Sequence, residues 1–170
     1  MTDVIESLNL SAWVTRAQND QRHFREAVHI SLSAIGTSLD LRSKMVLKGG
    51  MLMAIRYDSS RFTRDADFST RDRYVKGDEE KIIAEFSSRL TLANEQLPYD
   101  VMCICQGLQM KPSRIKAQFP MLSLNIGYAP RSNPSALKRL MAKQSPMIVE
   151  IDYSYNEAVL DIDLLTLSNG

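Results

Sequence analysis

The sequence predicts an α+β domain in which helices pack against a mixed β-sheet. Two patterns predict this class: long segments carry apolar residues at steps of three and four, and short segments alternate apolar with polar residues. The composition agrees, because 170 residues with 44% hydrophobic and 24% charged residues suit one globular domain with its own core. We therefore interpret residues 1–170 as one domain, with a helical lead-in over residues 1–44.

The first half of the chain is predicted to be mainly helical. Apolar residues recur along one face from about Asn19 to Leu39, which is typical of an amphipathic helix, and a shorter helix is predicted at Leu8–Val14. Met45–Leu47 is a brief apolar run that ends at a Gly-Gly pair, so we expect a strand that enters a tight turn. Met51–Tyr57 then suits a short helix.

The second half is predicted to contain most of the sheet. A half-buried strand with an acidic side is predicted at residues 65–69, and Asp78 is predicted to be the N-cap of the helix that follows. Three more strands and one short helix, which has a proline in its first turn, complete the pattern. They are Tyr99–Cys105, Met121–Gly127, Met147–Tyr153 and the helix from Asn133 to about Lys143.

Charge and composition exclude several functional classes. The 21 Lys and Arg residues nearly balance the 20 Asp and Glu residues, and the net charge of +1 argues against a strongly basic nucleic-acid-binding protein. The chain has no run of 18 apolar residues, and Asp3 and Glu6 do not fit a secretory signal, so we expect a cytoplasmic protein without membrane contact. Cys103 and Cys105 flank a single residue in a predicted strand, which excludes a disulfide scaffold and a zinc ribbon.

Two pairs of acidic residues occupy alternate positions of predicted strands. Asp65 and Asp67 form the first pair, and Glu150 and Asp152 form the second. Because side chains of a strand alternate between its faces, the carboxylates of each pair project to one side and repel each other unless a cation lies between them. Mg²⁺ prefers such hard oxygen ligands. The alternative is that these residues only form the solvent-facing side of an edge strand.

A glycine turn accompanies the acidic residues. Lys48-Gly49-Gly50 ends a predicted strand and opens a helix, where backbone N–H groups without a Cβ beside them can face an anion. Most Gly-Gly pairs are merely turns. Together with two acidic strands, however, this turn supplies the parts that metal-assisted nucleotidyl transfer needs, because cations there stabilise the attacking and leaving oxygens.

The residues around these features resemble a known family. The stretches Leu47–Leu52, Arg56-Tyr57 and Arg61–Phe68 are similar to the first motif of the AbiEii/AbiGii nucleotidyltransferase toxin family, which belongs to the DNA polymerase beta-like nucleotidyltransferase superfamily. That motif runs Lys-Gly-Gly, a short helix that ends near an aromatic residue, and Arg-x-Ser/Thr-x-Asp-x-Asp, and each position is filled here. A second stretch, Ile151–Glu157, is similar to the strand that bears the superfamily's third carboxylate.

The resemblance implies the polymerase beta-like nucleotidyltransferase fold and assigns roles to the acidic residues. Asp65 and Asp67 are implied to bind catalytic Mg²⁺. Asp152 is implied to be either the third metal ligand or the base that activates the acceptor, with Glu150 in reserve for that position.

The resemblance also implies a nucleotide-binding set. Gly49 and Gly50 would cradle the nucleotide phosphates, with Thr63 or Lys48 assisting. Arg61 would neutralise the charge of the triphosphate, or would only pair with the aspartates as a structural brace.

The function implied by the resemblance is a magnesium-dependent nucleotidyltransferase that moves a nucleoside monophosphate from an NTP to an acceptor. The acceptor would be RNA, such as a tRNA, or a protein, and the biological role would be the toxin of a toxin–antitoxin or phage-defence pair, with an antitoxin protein as partner. The family's helical C-terminal part, with a Lys-containing helix motif and a later Arg-Asp-x-x-Asp-like motif, has no counterpart before Gly170.

Two further hypotheses remain open. The first is a catalytically incomplete module of the same fold, which binds nucleotide or a partner protein. The second is a nuclease that uses the same metal site, in which the Gly-Gly turn has no evident purpose.

Two groups of basic residues allow two interpretations. One group follows the Asp65–Asp67 pair, and the other surrounds the helix that begins at Pro134. Patches of this kind either position an RNA backbone without reading its sequence or are simply solvated surface. The groups are Arg71, Arg73 and Lys76, and Arg131, Lys138, Arg139 and Lys143.

Overall fold

The computed structural model describes residues 6–58, 63–111, 120–157 and 165–168. Seven strands and six helices lie within these ranges. The strands are β1 (Glu6–Asn9), β2 (Val46–Lys48), β3 (Asp65–Ser69), β4 (Val101–Lys111), β5 (Met121–Pro130), β6 (Ile148–Ser154) and β7 (Leu165–Ser168). The helices are α1 (Leu10–Thr15), α2 (Asn19–Thr37), α3 (Leu39–Lys44), α4 (Gly49–Tyr57), α5 (Asp78–Gln96) and α6 (Pro134–Met141).

A five-stranded mixed sheet organises the molecule, with strand order β2-β3-β6-β5-β4. Only the β3–β6 pair is parallel in this sheet, and the other neighbours are antiparallel. A second sheet consists of β1 and β7 in parallel. The predicted α+β class, with helices packed on a mixed sheet, is confirmed.

The hydrophobic core lies between the five-stranded sheet and the helices α2 and α5. Alternate residues of β3 and β6 point into it, because successive side chains of a strand face opposite sides. These residues are Ala66, Phe68, Val149, Ile151 and Tyr153, and each is at most 3% exposed. The opposite side of the same two strands therefore faces away from this core.

Helix starts follow ordinary capping chemistry at three places. The side chains of Asn9, Ser38 and Asn133 accept hydrogen bonds from the backbone N–H three residues later, at 2.9, 3.2 and 3.2 Å, and so satisfy the otherwise unpaired donors of a first turn. Pro134 occupies the first turn of α6, as predicted.

The N-cap prediction at Asp78 is wrong. The N-cap of α5 is Gly77, with φ of 99°, a left-handed conformation that glycine adopts without strain. Asp78 is the first helical residue, and its carboxylate accepts a hydrogen bond from the Val75 N–H at 3.0 Å. The acidic side chain thus caps the preceding turn from inside the helix.

The observed strands differ from the predicted ones at two further places. The lead-in over residues 1–44 contains a strand, β1, before its helices, because those residues pair with the distant β7. β4 continues to Lys111, beyond the predicted end at Cys105, because β5 supplies a partner along its whole length. In the described ranges, no helix is both long and apolar enough to cross a bilayer.

Candidate functional site

Four carboxylates share one side of the parallel β3–β6 pair, and we call this set the acidic face: Asp65, Asp67, Glu150 and Asp152. The strand register places Asp65 beside Glu150 and Asp67 beside Asp152. Because residues in register on neighbouring strands project to the same side, the two acidic pairs of the sequence form one two-by-two group. The prediction that each pair shares a face is confirmed, and the pairing of the two strands adds that both pairs share the same face.

The acidic face carries like charges that its surroundings do not fully compensate. Partial burial raises the pKa of Asp65 above its usual range, and the charges of Glu150 and Asp67 raise it further. Partial burial also raises the pKa of Asp152; the Ser123 hydroxyl opposes this rise, and the charges of Glu150, Asp67 and Asp65 add to it. Each raised pKa means that ionisation costs more here than in water, and a cation placed among the carboxylates would remove that cost.

Glu150 and Asp152 differ in how their oxygens are occupied. Glu150 Oε1 accepts a hydrogen bond from the Ser123 hydroxyl at 2.9 Å and lies 3.4 Å from Lys111 Nζ. Asp152 Oδ1 is buried and has no hydrogen-bond partner among the described residues. A buried carboxylate oxygen without a partner is costly unless something fills that place. Asp152 is therefore better suited than Glu150 to be the third ligand.

The glycine turn at the start of α4 lies against the acidic face. β2 pairs with β3 so that Lys48 lies opposite Asp67. Gly49 has φ of 73°, and a Cβ at this residue would lie 3.0 Å from Asp67 Oδ2. Two separate constraints thus require glycine: the left-handed backbone and the close carboxylate.

Gly50, the second glycine of this turn, lies next to the side chain of Thr63. A Cβ on Gly50 would lie 3.4 Å from Thr63 Oγ1, and the Thr63 hydroxyl lies 3.4 Å from the backbone oxygen of Asp65. α4 begins without a side-chain cap, because its N-cap residue, Lys48, makes no capping hydrogen bond. The first N–H groups of this helix are thus free of a capping side chain beside the acidic face.

Lys48 makes a contact that its position in the sequence does not reveal. Its Nζ donates to Glu157 Oε2 at 2.6 Å, and the buried Ser69 hydroxyl donates to the same oxygen. Desolvation raises the pKa of Glu157, but the hydrogen bonds from Lys48 and Ser69 outweigh it and lower that pKa overall. Sequence reasoning gave Glu157 no role, since 109 residues separate it from Lys48 and only the folded sheet joins them.

The donor set of the acidic face fits a divalent cation. Its carboxylate oxygens are of the kind that Mg²⁺ prefers, and Asp152 Oδ1 has no hydrogen-bond partner in the part of the chain that the structure describes. In the described part of the chain, no group of three or more His, Cys, Asp or Glu side chains is already gathered around one point as a metal centre would require. The backbone register is thus in place, while side-chain rotation would have to complete a metal site.

The remaining predicted residues lie at different places. Arg61, predicted to contact the triphosphate, lies outside the described residues. Among the basic groups, Arg131 donates to the backbone oxygen of Asn94 at 2.9 Å, which ties the end of α5 to the turn after β5. Lys138 and Arg139 lie exposed on α6, which packs on β5 and β4 rather than near β3.

The fold and the acidic face define a class of protein: an α+β domain whose sheet presents paired carboxylates beside a glycine turn. The chain belongs to the family described as "Nucleotidyl transferase AbiEii toxin, Type IV TA system", whose profile matches residues 33–169. This family is one of nucleotidyltransferases that act in toxin–antitoxin systems, and the resemblance found from the motifs is confirmed.

Solved structures give a distant likeness. JHP933 from Helicobacter pylori shares 15% sequence identity with the chain, with a TM-score of 0.49, and the match covers 89% of this chain and 53% of that one. Another structure, of a protein from H. pylori provisionally described as a nucleotidyltransferase, gives the same identity, TM-score and coverage of this chain, and 55% of its own length is covered. The chain thus spans about half the length of both proteins. A search of curated proteins found no match.

Proposed function

We propose that the chain is the catalytic part of a magnesium-dependent nucleotidyltransferase that transfers a nucleoside monophosphate from an NTP to an acceptor hydroxyl and releases pyrophosphate. One observation supports the proposal most: Asp65 and Asp67 of β3 lie in register with a second acidic pair on β6, in which the buried Asp152 Oδ1 has no hydrogen-bond partner within the described ranges. The glycine turn supports it, because it brings backbone without a Cβ against Asp67.

Asp65, Asp67 and Asp152 would hold the cation. When bound, Mg²⁺ would neutralise charge on the triphosphate and on the leaving pyrophosphate. The acceptor oxygen would form a bond to the α-phosphorus while the bond from that phosphorus to the bridging oxygen breaks. In the alternative role, Asp152 would not ligate the cation but would be the base that takes the proton of the acceptor hydroxyl.

The glycine turn would orient the nucleotide. Backbone N–H groups of Gly49 and Gly50 would face phosphate oxygens, as anions are bound at other helix starts. The Thr63 hydroxyl, which borders Gly50, is placed to assist. Arg61 is proposed as a further phosphate contact, since it carries a positive charge near this turn in the sequence. Lys48 would contact a phosphate only if its ammonium left Glu157.

The acceptor is proposed to be RNA, such as a tRNA, or a protein. A role as a toxin that has an antitoxin partner follows from the family, and a role in phage defence and a cytoplasmic location are part of the same proposal. The basic residues that follow β3, Arg71, Arg73 and Lys76, lie exposed and would contact an RNA backbone nonspecifically.

A module that binds nucleotide without transferring it is the second candidate. The observation that favours it is that no metal centre is already gathered among the described residues. Such a module would bind an NTP, but would not move label to an acceptor.

Label transfer decides between these functions. The protein is incubated with Mg²⁺ and each α-labelled NTP in turn, with total cellular RNA or protein as acceptor, and incorporated label is measured. We expect Asp67→Asn to reduce transfer by about a hundredfold or more, because it removes charge that the reaction needs. Glu95→Gln, an exposed acidic residue of α5, is the control and should transfer normally. Equal transfer by the wild type and Asp67→Asn would contradict the role of Asp67 in catalysis. Binding of NTP by the wild type without any transfer of label would favour the module that binds nucleotide only.

A further inference from the structure

Glu157 fixes one end of the acidic face without belonging to it. Its backbone N–H donates to the Thr70 oxygen at 3.1 Å, and the N–H of the preceding Asn156 donates to the Asp72 oxygen at 2.9 Å. These bonds attach the residues after β6 to the residues after β3. The carboxylate of Glu157 is thereby brought to Ser69, which follows Asp65 and Asp67 on the same side of β3.

Lys48 has two carboxylates within its reach. It lies opposite Asp67 in the antiparallel β2–β3 pair, and directly opposed residues have Cβ atoms about 5 Å apart on one side of the sheet. A lysine side chain therefore reaches the Asp67 carboxylate easily. In the structure its ammonium instead contacts Glu157 at 2.6 Å.

The contact with Glu157 is poorly explained as a device for stability. The side chains of Lys48 and Glu157 are 41% and 35% exposed, and ion pairs this open to water add little to folding. Its consequence for charge is larger, because an ammonium on Asp67 would occupy the place that a cation needs.

We propose that Glu157 is a positioning residue that holds the Lys48 ammonium away from Asp67, so that the acidic face stays available to a divalent cation. This inference rests on the proposed function, in which Asp67 is a metal ligand. It gives Glu157 a role through Lys48, with no contact of its own to the metal or the nucleotide.

Binding of Mn²⁺, measured by the loss of its free electron paramagnetic resonance signal, tests the proposal without relying on activity. In Glu157→Gln the amide still accepts from Ser69 but no longer holds Lys48 by charge. We expect Mn²⁺ binding about fivefold weaker, which corresponds to the strength of one partly exposed ion pair. Thermal unfolding, measured in parallel, shows whether this variant is folded.

A double-mutant cycle with Lys48→Met separates competition by Lys48 from a simple loss of negative charge. If Lys48 moves to Asp67, Lys48→Met strengthens Mn²⁺ binding about fivefold in the Glu157→Gln background and changes it little in the wild type. If Glu157 acts only through its distant charge, Lys48→Met has the same effect in both backgrounds, and the proposal is overturned.

The outcomes also separate this proposal from the proposed function. A wild-type protein that binds no Mn²⁺ would contradict the metal site itself. A wild type that binds Mn²⁺, together with a folded Glu157→Gln that binds equally well, would overturn the role of Glu157 alone. Glu95→Gln is the control for the loss of one acidic residue elsewhere and should bind like the wild type.

Discussion

The two sides of the β3–β6 pair differ in burial and charge, although their residues alternate along the same two strands. On the core side, Phe68 and Ile151 are 3% and 1% exposed and are selected by volume and the absence of charge. On the acidic face, Asp67 and Asp152 lie half-buried, and partial burial together with like charges raises the pKa of Asp152. One side therefore stabilises the fold, while the other carries repelling charges that the proposed cation would neutralise.

Truncating the core side should have the largest effect on stability. Ile151→Ala removes buried methyl groups and leaves a cavity, so we expect the free energy of unfolding to fall by about 3 kcal/mol. Urea denaturation measures this fall. The matched variant on the neighbouring position, Asp152→Asn, should leave the free energy of unfolding within about 1 kcal/mol of the wild type. Similar losses for both variants would contradict the division between the two sides.

The alternation that separates the two sides could be predicted from sequence. Asp65 and Asp67 are separated by one residue, and strand periodicity alone places them on one side. The Lys48–Gly49 junction was predicted for a similar reason, since an apolar run that stops at two glycines indicates a turn. Both features depend only on residues that are close in sequence, so the local pattern is sufficient to predict them.

Contacts between distant parts of the chain could not be predicted. The pairing of β1 with β7 and the ion pair of Lys48 with Glu157 each join residues more than 100 positions apart. No periodicity encodes such pairings, because they depend on how the whole sheet is ordered. The difference between Glu150, whose Oε1 accepts from Ser123 and lies near Lys111, and Asp152, whose Oδ1 has no hydrogen-bond partner among the described residues, arises in the same way.

The glycine turn should show the next largest effect. Gly49→Ala forces a residue with a Cβ into a left-handed conformation and against Asp67 Oδ2, so we expect a loss of about 1–2 kcal/mol in the free energy of unfolding. Gly50→Ala is the matched control, because its Cβ would meet Thr63 at 3.4 Å with no left-handed backbone, and alanine favours a helix. Urea denaturation of both variants checks this, and equal losses would show that the turn at Gly49 is not tightly constrained.

The smallest effect is a pH dependence of stability. The pKa of Asp65 in the folded chain lies above its ordinary value of 3.8, so neutral Asp65 stabilises the fold below that pH, and this stability is lost as the pH rises through the raised pKa. Asp65→Asn removes this loss of stability, because an amide does not ionise. At pH 7 we expect it to stabilise the fold by up to about 0.5 kcal/mol.

Urea denaturation of Asp65→Asn and the wild type from pH 7 down to about pH 3.8 measures the difference. The gain should fade as the pH falls, because Asp65 of the wild type becomes protonated. A stability gain of Asp65→Asn that does not change with pH, or a variant less stable than the wild type at pH 7, would show that ionised Asp65 does not destabilise the fold.

Calorimetric titration of Mg²⁺ into the wild type and Asp67→Asn, with Glu95→Gln as the control, tests the proposed cation site most directly. We expect saturable binding to the wild type and the control, and binding weakened at least about tenfold in Asp67→Asn, because a ligand that carries a full charge is lost. Equal Mg²⁺ binding by the wild type and Asp67→Asn, or no binding by either, would contradict the claim that the acidic face is a cation site.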